Sequence, residues 1–282
     1  LILRSAELLL KFNLNKQSSG NNRGPFMCII LFAYKVHPRY PLVMAANRDE
    51  FYDRPTIPAA FRQNTPDLLA GRDLRHGGTW LGMTRTGKIA ALANHRTPRS
   101  FRTTALSRGY LVRDFLLSED SKDVYLERLK REANLYKGYS LIFGDMGCLY
   151  YFSNRSMVAE EIPPGIHGQS NDLLDTPWPK VQRGKEALWK ILSAATGPSP
   201  EALFTMLADR TVADDKLLPD TGVGIEQERL LAPIFVKGSI YGTRSSTLAI
   251  VDSENNTTFI ERTYNGNQEV YTTLEYRFKF EY

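Results

Sequence analysis

At 282 residues, with 42% hydrophobic and 24% charged, the chain has the balance of a globular protein and enough apolar material for a sizeable core. Its net charge of +5 is not the footprint of a nucleic-acid binder. Four basic residues and one acidic residue fall within the first 26, which leaves 32 basic against 30 acidic, with no basic cluster, in the rest. No run approaches the about 18 apolar residues that a membrane span needs, so the chain reads as soluble.

Residues 1–26 stand apart. The first twelve are apolar except Arg4, Ser5, Glu7 and Lys11, with the charges at near-helical spacing, and the remainder has the Asn, Gln, Ser and Gly content of a flexible linker. A basic, acid-poor, amphipathic start is one form of mitochondrial presequence. The chain begins with Leu, and non-native or translated upstream sequence is the preferred reading, so this leader is set aside from the fold. No linker divides residues 27–282, which are read as one domain.

The body opens with two apolar runs, 28–36 and 41–47, joined by "HPRYP" as an antiparallel pair. "TWLGMTRTGKIAALAN" predicts a second hairpin, 79–84 and 88–94, turning at Thr86-Gly87. Leu111, Phe115 and Leu116 mark a helix in "TALSRGYLVRDFLLSED", and Ser121 is the expected N-cap of its partner. Strands return in "GYSLIFGD", "GCLYYFSN" and "GIHGQSN". A second helix pair follows, the latter member capped at Ser199 before Pro200 and Glu201. Strands are then expected at 231–236, 239–251 and 257–263. The last segment alternates, placing Val270, Thr272, Leu274, Tyr276, Phe278, Phe280 and Tyr282 on one face as a half-buried strand. Strands interrupted by two helix pairs give an α+β protein, most economically a four-layer αββα sandwich of two antiparallel sheets.

Several motifs lead nowhere. Gly82, Gly87 and Lys88 have phosphate-loop spacing, but Ile89 stands where Ser or Thr is needed, and the stretch lies in a hairpin. The histidines, His37, His76, His95 and His167, lack metal-ligand pairing, so no metal and no cofactor is expected. Cys28 and Cys148 lack CxxC spacing, which suits free thiols in a reducing, cytoplasmic compartment. Cys148 reads as a buried small hydrophobe, and Trp80 in "GGTWLG" as a core residue, not a ligand, with Gly77 and Gly78 permitting close backbone approach.

Cys28 is different because it follows Met27. Trimming of that methionine leaves a thiol and an α-amine on one residue, a self-contained nucleophile and base with reference pKa values of about 8.5 and about 7.7 to 8.0. Arg48 ends the strand that pairs with the strand of Cys28 and can promote the thiolate. Asp49 or Glu50 can hold the amine. Asn94 and Asn171, at strand ends, can donate to an oxyanion, and Arg244 in "YGTRSST" offers a second cation. Each has a plainer reading, as core thiol, turn residue or solvated charge.

"MCII", "AANRDEFYDRP", "GGTWLG", "ALANHR", "HGQSNDLLDTPWPKV" and "YGTRSST" together resemble the NRDE family, the group of transport and Golgi organisation protein 2, over residues 27–282. That family resembles the N-terminal nucleophile hydrolases of the choloylglycine hydrolase and penicillin acylase group. The resemblance implies an αββα fold, a start at Met27, and cleavage of a linear amide or acyl thioester of a small molecule. It implies Cys28 as nucleophile, Arg48 and Asp49 as its local partners, Asn94 and Asn171 as oxyanion donors, and Arg244 as supporting cation. In the bile-salt group the acid follows the arginine by three residues, whereas Asp49 is adjacent here, so Asp49, Glu50 and Asp53 all stand as holders of the amine. The rival reading is a non-catalytic carrier in trafficking or lipid metabolism, holding an acyl chain, or haem through Cys28, His95 or His167.

Overall fold

The computed structural model describes residues 27–96, 105–264, 266 and 271–281; the leader, together with Val270 and Tyr282 of the last predicted strand, lies outside the described residues. The first predicted pair forms the spine. β1 (Met27–His37) and β2 (Tyr40–Phe51) run antiparallel, with Cys28 opposite Arg48 and Leu31 opposite Ala45. Strand alternation sends Cys28, Ile30, Phe32, Met44 and Ala46 into one apolar cluster and Ile29, Leu31, Val43 and Ala45 into another. Both faces are buried. The sequence is therefore continuously apolar here instead of alternating.

Around this pair a six-stranded antiparallel sheet assembles in the order β10 (Gly165–Gln169), β1, β2, β11 (Tyr241–Val251), β12 (Asn256–Tyr264), β13 (Tyr271–Lys279). The second sheet is a meander in chain order. It runs through β3 (Thr56–Arg62), β4 (Thr65–Asp73), β5 (Leu81–Thr84), β6 (Ile89–Asn94), β7 (Tyr139–Gly144), β8 (Leu149–Ser153) and β9 (Ala159–Glu161). The predicted hairpin at Thr86-Gly87 is β5–β6, with Gly87 at φ +82°, a conformation that favours glycine.

Helices α1 (Gly109–Leu117) and α2 (Lys122–Glu132) cover the second sheet through Leu111, Phe115 and Leu129. Helices α3 (Pro179–Leu192) and α4 (Pro200–Leu207) cover the first through Leu188, Leu203 and Leu207. The expected caps are in place: Ser121 Oγ accepts from Val124 N at 3.3 Å and Ser199 Oγ from Ala202 N at 3.2 Å. A Cβ on Gly184 would lie 2.5 Å from Leu31 Cδ1, so α3 seats on β1 only because that residue is glycine. Gly78 meets the backbone of Gly109 in the same way, the close approach expected of "GGTWLG". The result is the αββα sandwich. No helix among the described residues is long and apolar enough to cross a membrane.

Three expectations need correction. Residues 231–236 are not a strand: Leu231 ends helix α5 (Ile225–Leu231), and the rest is irregular. Pro233 has no N–H for a ladder, and Ile234, Phe235 and Val236 are apolar because tertiary packing buries them. β11 begins at Tyr241 instead of 239. The last strand is less buried than its alternation implied: Thr272 and Leu274 are exposed, Tyr276 and Phe278 are half-buried, and Phe280 is buried. β13 is an edge strand, and Phe61 of the second sheet packs its ring against Tyr276 and Phe278, at centroid distances of 5.9 and 5.5 Å. Sequence reading also passed over β3, β4 and β9. β3 contains Pro58 and register shifts, which break the period-two pattern.

Candidate active site

The four residues Asn47-Arg48-Asp49-Glu50 continue β2 beyond its apolar stretch, so alternation divides them between two layers. Asn47 faces the helices: its Nδ2 donates to Leu207 O at 2.8 Å and Ile234 O at 2.9 Å, while its Oδ1 accepts from Ser246 Oγ at 2.6 Å. Asp49 shares that face and accepts from Thr243 Oγ1 at 2.6 Å. Arg48 and Glu50 point between the sheets. Arg48 Nη2 lies 3.5 Å from Glu50 Oε2 and 3.8 Å from Asp73 Oδ2, and its guanidinium sits 4.3 Å from the Trp80 ring centroid. Arg54 completes the cluster, 2.6 Å from Asp73 Oδ2 and 3.6 Å from Glu50 Oε2.

Cys28 is 7% exposed and lines a small cavity with Ile30, Ala46, Arg48, Trp80 and Leu81. Trp80, expected in the core, is half-buried and forms a wall of this cavity. With Met27 attached, burial and then the Asp49 charge push the thiol up to about 12, against the opposing Arg48 charge and the Asp49 N–H. Asp49 is itself pushed up by burial, with Lys180 and the Thr243 hydrogen bond opposing the shift.

The two asparagines are linked to each other, and Ser170 links the second of them to the main chain of Cys28. Ser170 Oγ donates to Cys28 O at 3.3 Å and lies 3.2 Å from Asn171 Oδ1, while Asn171 Nδ2 donates to Asn94 O at 2.7 Å. Part of the donor capacity of Asn171 is thereby committed to a main-chain carbonyl. Arg244 sits at a bulge in β11 and donates to Phe51 O at 2.8 Å, Arg54 O at 3.1 Å and Thr56 Oγ1 at 3.4 Å. It clamps the turn after β2 and acts on Arg48 and Glu50 through its charge. Of the three acids, Asp49 pairs with Met27 in the ladder, Glu50 belongs to the arginine cluster, and Asp53 is exposed.

Sequence reasoning missed Arg54, Arg96, Arg108, Lys180 and Glu228. Lys180 is buried, and its Nζ donates to Leu231 O at 3.1 Å; burial and the Arg96 charge push its proton affinity down, while Asp49 and Cys28 support it. Arg96 forms a buried ion pair with Glu228, and burial pushes the Arg108 guanidinium down to about 10 with Cys28 and Glu50 in its field. Lys180 was detectable, because it shares the α3 stripe of Gly184, Leu188 and Leu192.

The two candidate haem histidines are otherwise engaged. His167 Nδ1 lies 2.7 Å from Asp175 Oδ2 and its Nε2 2.9 Å from Pro163 O. His95 Nε2 lies 3.0 Å from the hydroxyls of both Ser140 and Ser153, and burial pushes the ring down to about 4.

A cysteine and an arginine are thus paired at the head of the central strands of an αββα sandwich. The profile described as Transport and Golgi organisation 2 matches residues 27–266, and the chain belongs to that family. It is 36% identical over 274 residues to the Transport and Golgi organization protein 2 homolog of Bos taurus, covering 89% of this chain and 99% of the relative. The Homo sapiens homolog is 34% identical, covering 84% and 92%, and the Drosophila melanogaster protein 29%, covering 85% and 93%. Among solved structures, the chain is similar to a Caenorhabditis elegans N-acylethanolamine-hydrolyzing acid amidase ortholog at TM-score 0.48 and 12% identity, covering 79% and 92%. A variant of the conjugated bile acid hydrolase from Clostridium perfringens gives TM-score 0.47 at 9% identity, covering 91% and 97%.

Proposed function

We propose that this protein, with Cys28 as its first residue, is a hydrolase or acyltransferase acting on a linear amide or acyl thioester of a small molecule. The observation that carries the reading is the β1–β2 register. It sets the Cys28 thiol in a cavity beside Arg48 and places the main chain preceding Cys28 next to Asp49. Removal of Met27 leaves the α-amine in that position.

The amine, with a reference pKa of about 7.7 to 8.0, takes the thiol proton as sulfur bonds to the carbonyl carbon. The carbonyl electron pair moves to oxygen, where the amides of Asn94 and Asn171 donate. The oxyanion then re-forms the carbonyl, the C–N or C–S bond breaks, and the leaving atom takes the proton from the α-ammonium. Water releases the acyl group as an acid, or a second nucleophile accepts it. Arg48 favours the thiolate, and Asp49 holds the ammonium form. Two free thiols fit a reducing, cytoplasmic setting.

The test uses a chain begun at Met27. Intact mass should start at Cys28, brief alkylation should add one label there, and the protein should turn over acyl anilides or acyl-coenzyme A thioesters. Cys28→Ala should abolish turnover while leaving thermal unfolding unchanged. Retained Met27, or full turnover in Cys28→Ala, overturns the mechanism.

A further inference from the structure

Each of the two sheets ends in two edge strands, and three of the four are guarded against pairing with another chain. β3 carries Pro58 and two register shifts. β9 is three residues long and ends in Glu160 and Glu161. In β10, the Gly168 N–H and carbonyl are both taken by Asp175, at 2.9 Å each. β13 has none of these protections. It is nine residues long, without Pro or Gly, and pairs with β12 in unbroken register from Tyr271 to Lys279. Among the described residues no strand pairs with its outer side. Both of its faces are open over the first half, because residues 271–275 are all exposed, Tyr271 at 44% and Leu274 at 36%. Tyr, Thr and Phe favour strands, so this open edge is also a well-formed one.

The charges on β13 follow a pattern. Leu274, Tyr276 and Phe278 share the face toward the second sheet, where Phe61 packs on the latter two, and alternation puts Thr273, Glu275, Arg277 and Lys279 on the other face. Arg277 Nε lies 2.6 Å from Glu275 Oε1 of its own strand, with the side chains 77% and 41% exposed. So exposed a pair contributes little by itself and exchanges readily for a better-placed partner.

We propose that β13 is the surface through which two copies of this chain associate, the outer sides of the two strands pairing antiparallel with Tyr276 opposite Tyr276 of the second copy. In that register Glu275 stands opposite Arg277 of the second copy and Arg277 opposite its Glu275. Leu274 then meets Phe278, and Lys279 lies opposite Thr273 and diagonal to Glu275. Moving the strands by two residues, the smallest step that keeps side chains on their own faces, sets Glu275 against Glu275 or Arg277 against Arg277. The charges thus select one two-fold arrangement, a closed contact that joins two six-stranded sheets edge to edge. β13 stands three strands from β2, so the Cys28 cavity is left as it is, and the inference does not depend on the hydrolase reading.

Sedimentation equilibrium of the full chain tests this. The parent should reach twice the 32.0 kDa of one copy and dissociate on dilution. Arg277→Glu and Glu275→Arg each set like charges opposite one another and should each weaken association at least about tenfold, with circular dichroism unchanged. An equimolar mixture of the two variants restores both opposite-charge pairs and should form a heterodimer at the parent's affinity. A parent that stays monomeric at every concentration overturns the inference. So does a dimer that neither variant weakens, which uses another surface, or a mixture that stays monomeric. A dimer formed only by the chain begun at Met27 assigns the edge to residues 1–26 and overturns the inference for the full chain.

Discussion

The two faces of β2 at its head differ in how their charges are settled. Between the sheets, Arg48 and Arg54 stand against Glu50 and Asp73, two cations and two anions within 4 Å of one another. On the helix side, Asp49 is hydrogen-bonded to the neutral Thr243 and Lys180 to a main-chain carbonyl, each buried without a close ion pair among the described residues. The first face resembles the interior of any well-paired protein. The second keeps charges under strain, and such groups concentrate where proton transfer or ligand binding needs them.

Breaking the settled face should cost most. Arg54→Met keeps apolar bulk but removes the closest cation from Asp73, whose carboxyl burial would raise and the Arg54 pair holds below its usual range. Because Arg48 remains 3.8 Å away, the loss should fall near about 3 kcal/mol, read from urea unfolding, toward the low end for breaking a buried pair. Asn47→Leu comes next. It strips hydrogen bonds from Leu207 O and Ile234 O at the join of α4 and the chain before β11, and should cost about 2 kcal/mol by the same measurement. A loss below about 0.5 kcal/mol in either variant would mean that water or relaxation replaces these partners, and that the two faces differ less than their geometry implies.

What the sequence disclosed follows the same division. The β1–β2 pairing, and with it Cys28 beside Arg48, was legible because both runs are apolar and joined by a short turn. The meeting of Asn94 with Asn171 was legible as two strand ends, although not the hydrogen bond that spends part of Asn171. Lys180 and Arg96 were less legible as site residues: the α3 stripe marks Lys180 as buried but not what it faces, and an arginine after a strand usually faces solvent. Only the packing of α3 and α5 over the sheet buries them. Residues 231–236 misled for the converse reason: a short apolar run has the same composition in a strand as in a packed loop.

The smallest expected effect has the opposite sign and separates the faces most cleanly. The folded-state pKa of Asp49 is raised, chiefly by burial, so the folded protein holds that proton to higher pH than the unfolded chain does. The stability contributed by this group is therefore present in acid and is lost as pH rises from the unfolded value, near 3.9, through the raised folded one. Asp49→Asn still accepts from Thr243 but never ionises. It should be more stable than the parent at pH 8, by about 1 kcal/mol, with the advantage shrinking toward pH 5. Under the mechanism proposed above, turnover at Cys28 should fall in the same variant, because the carboxylate proposed to hold the ammonium is gone. A variant less stable than the parent at pH 8 would show that Asp49 and Lys180 act as a settled pair, and the distinction between the two faces would then have to be abandoned.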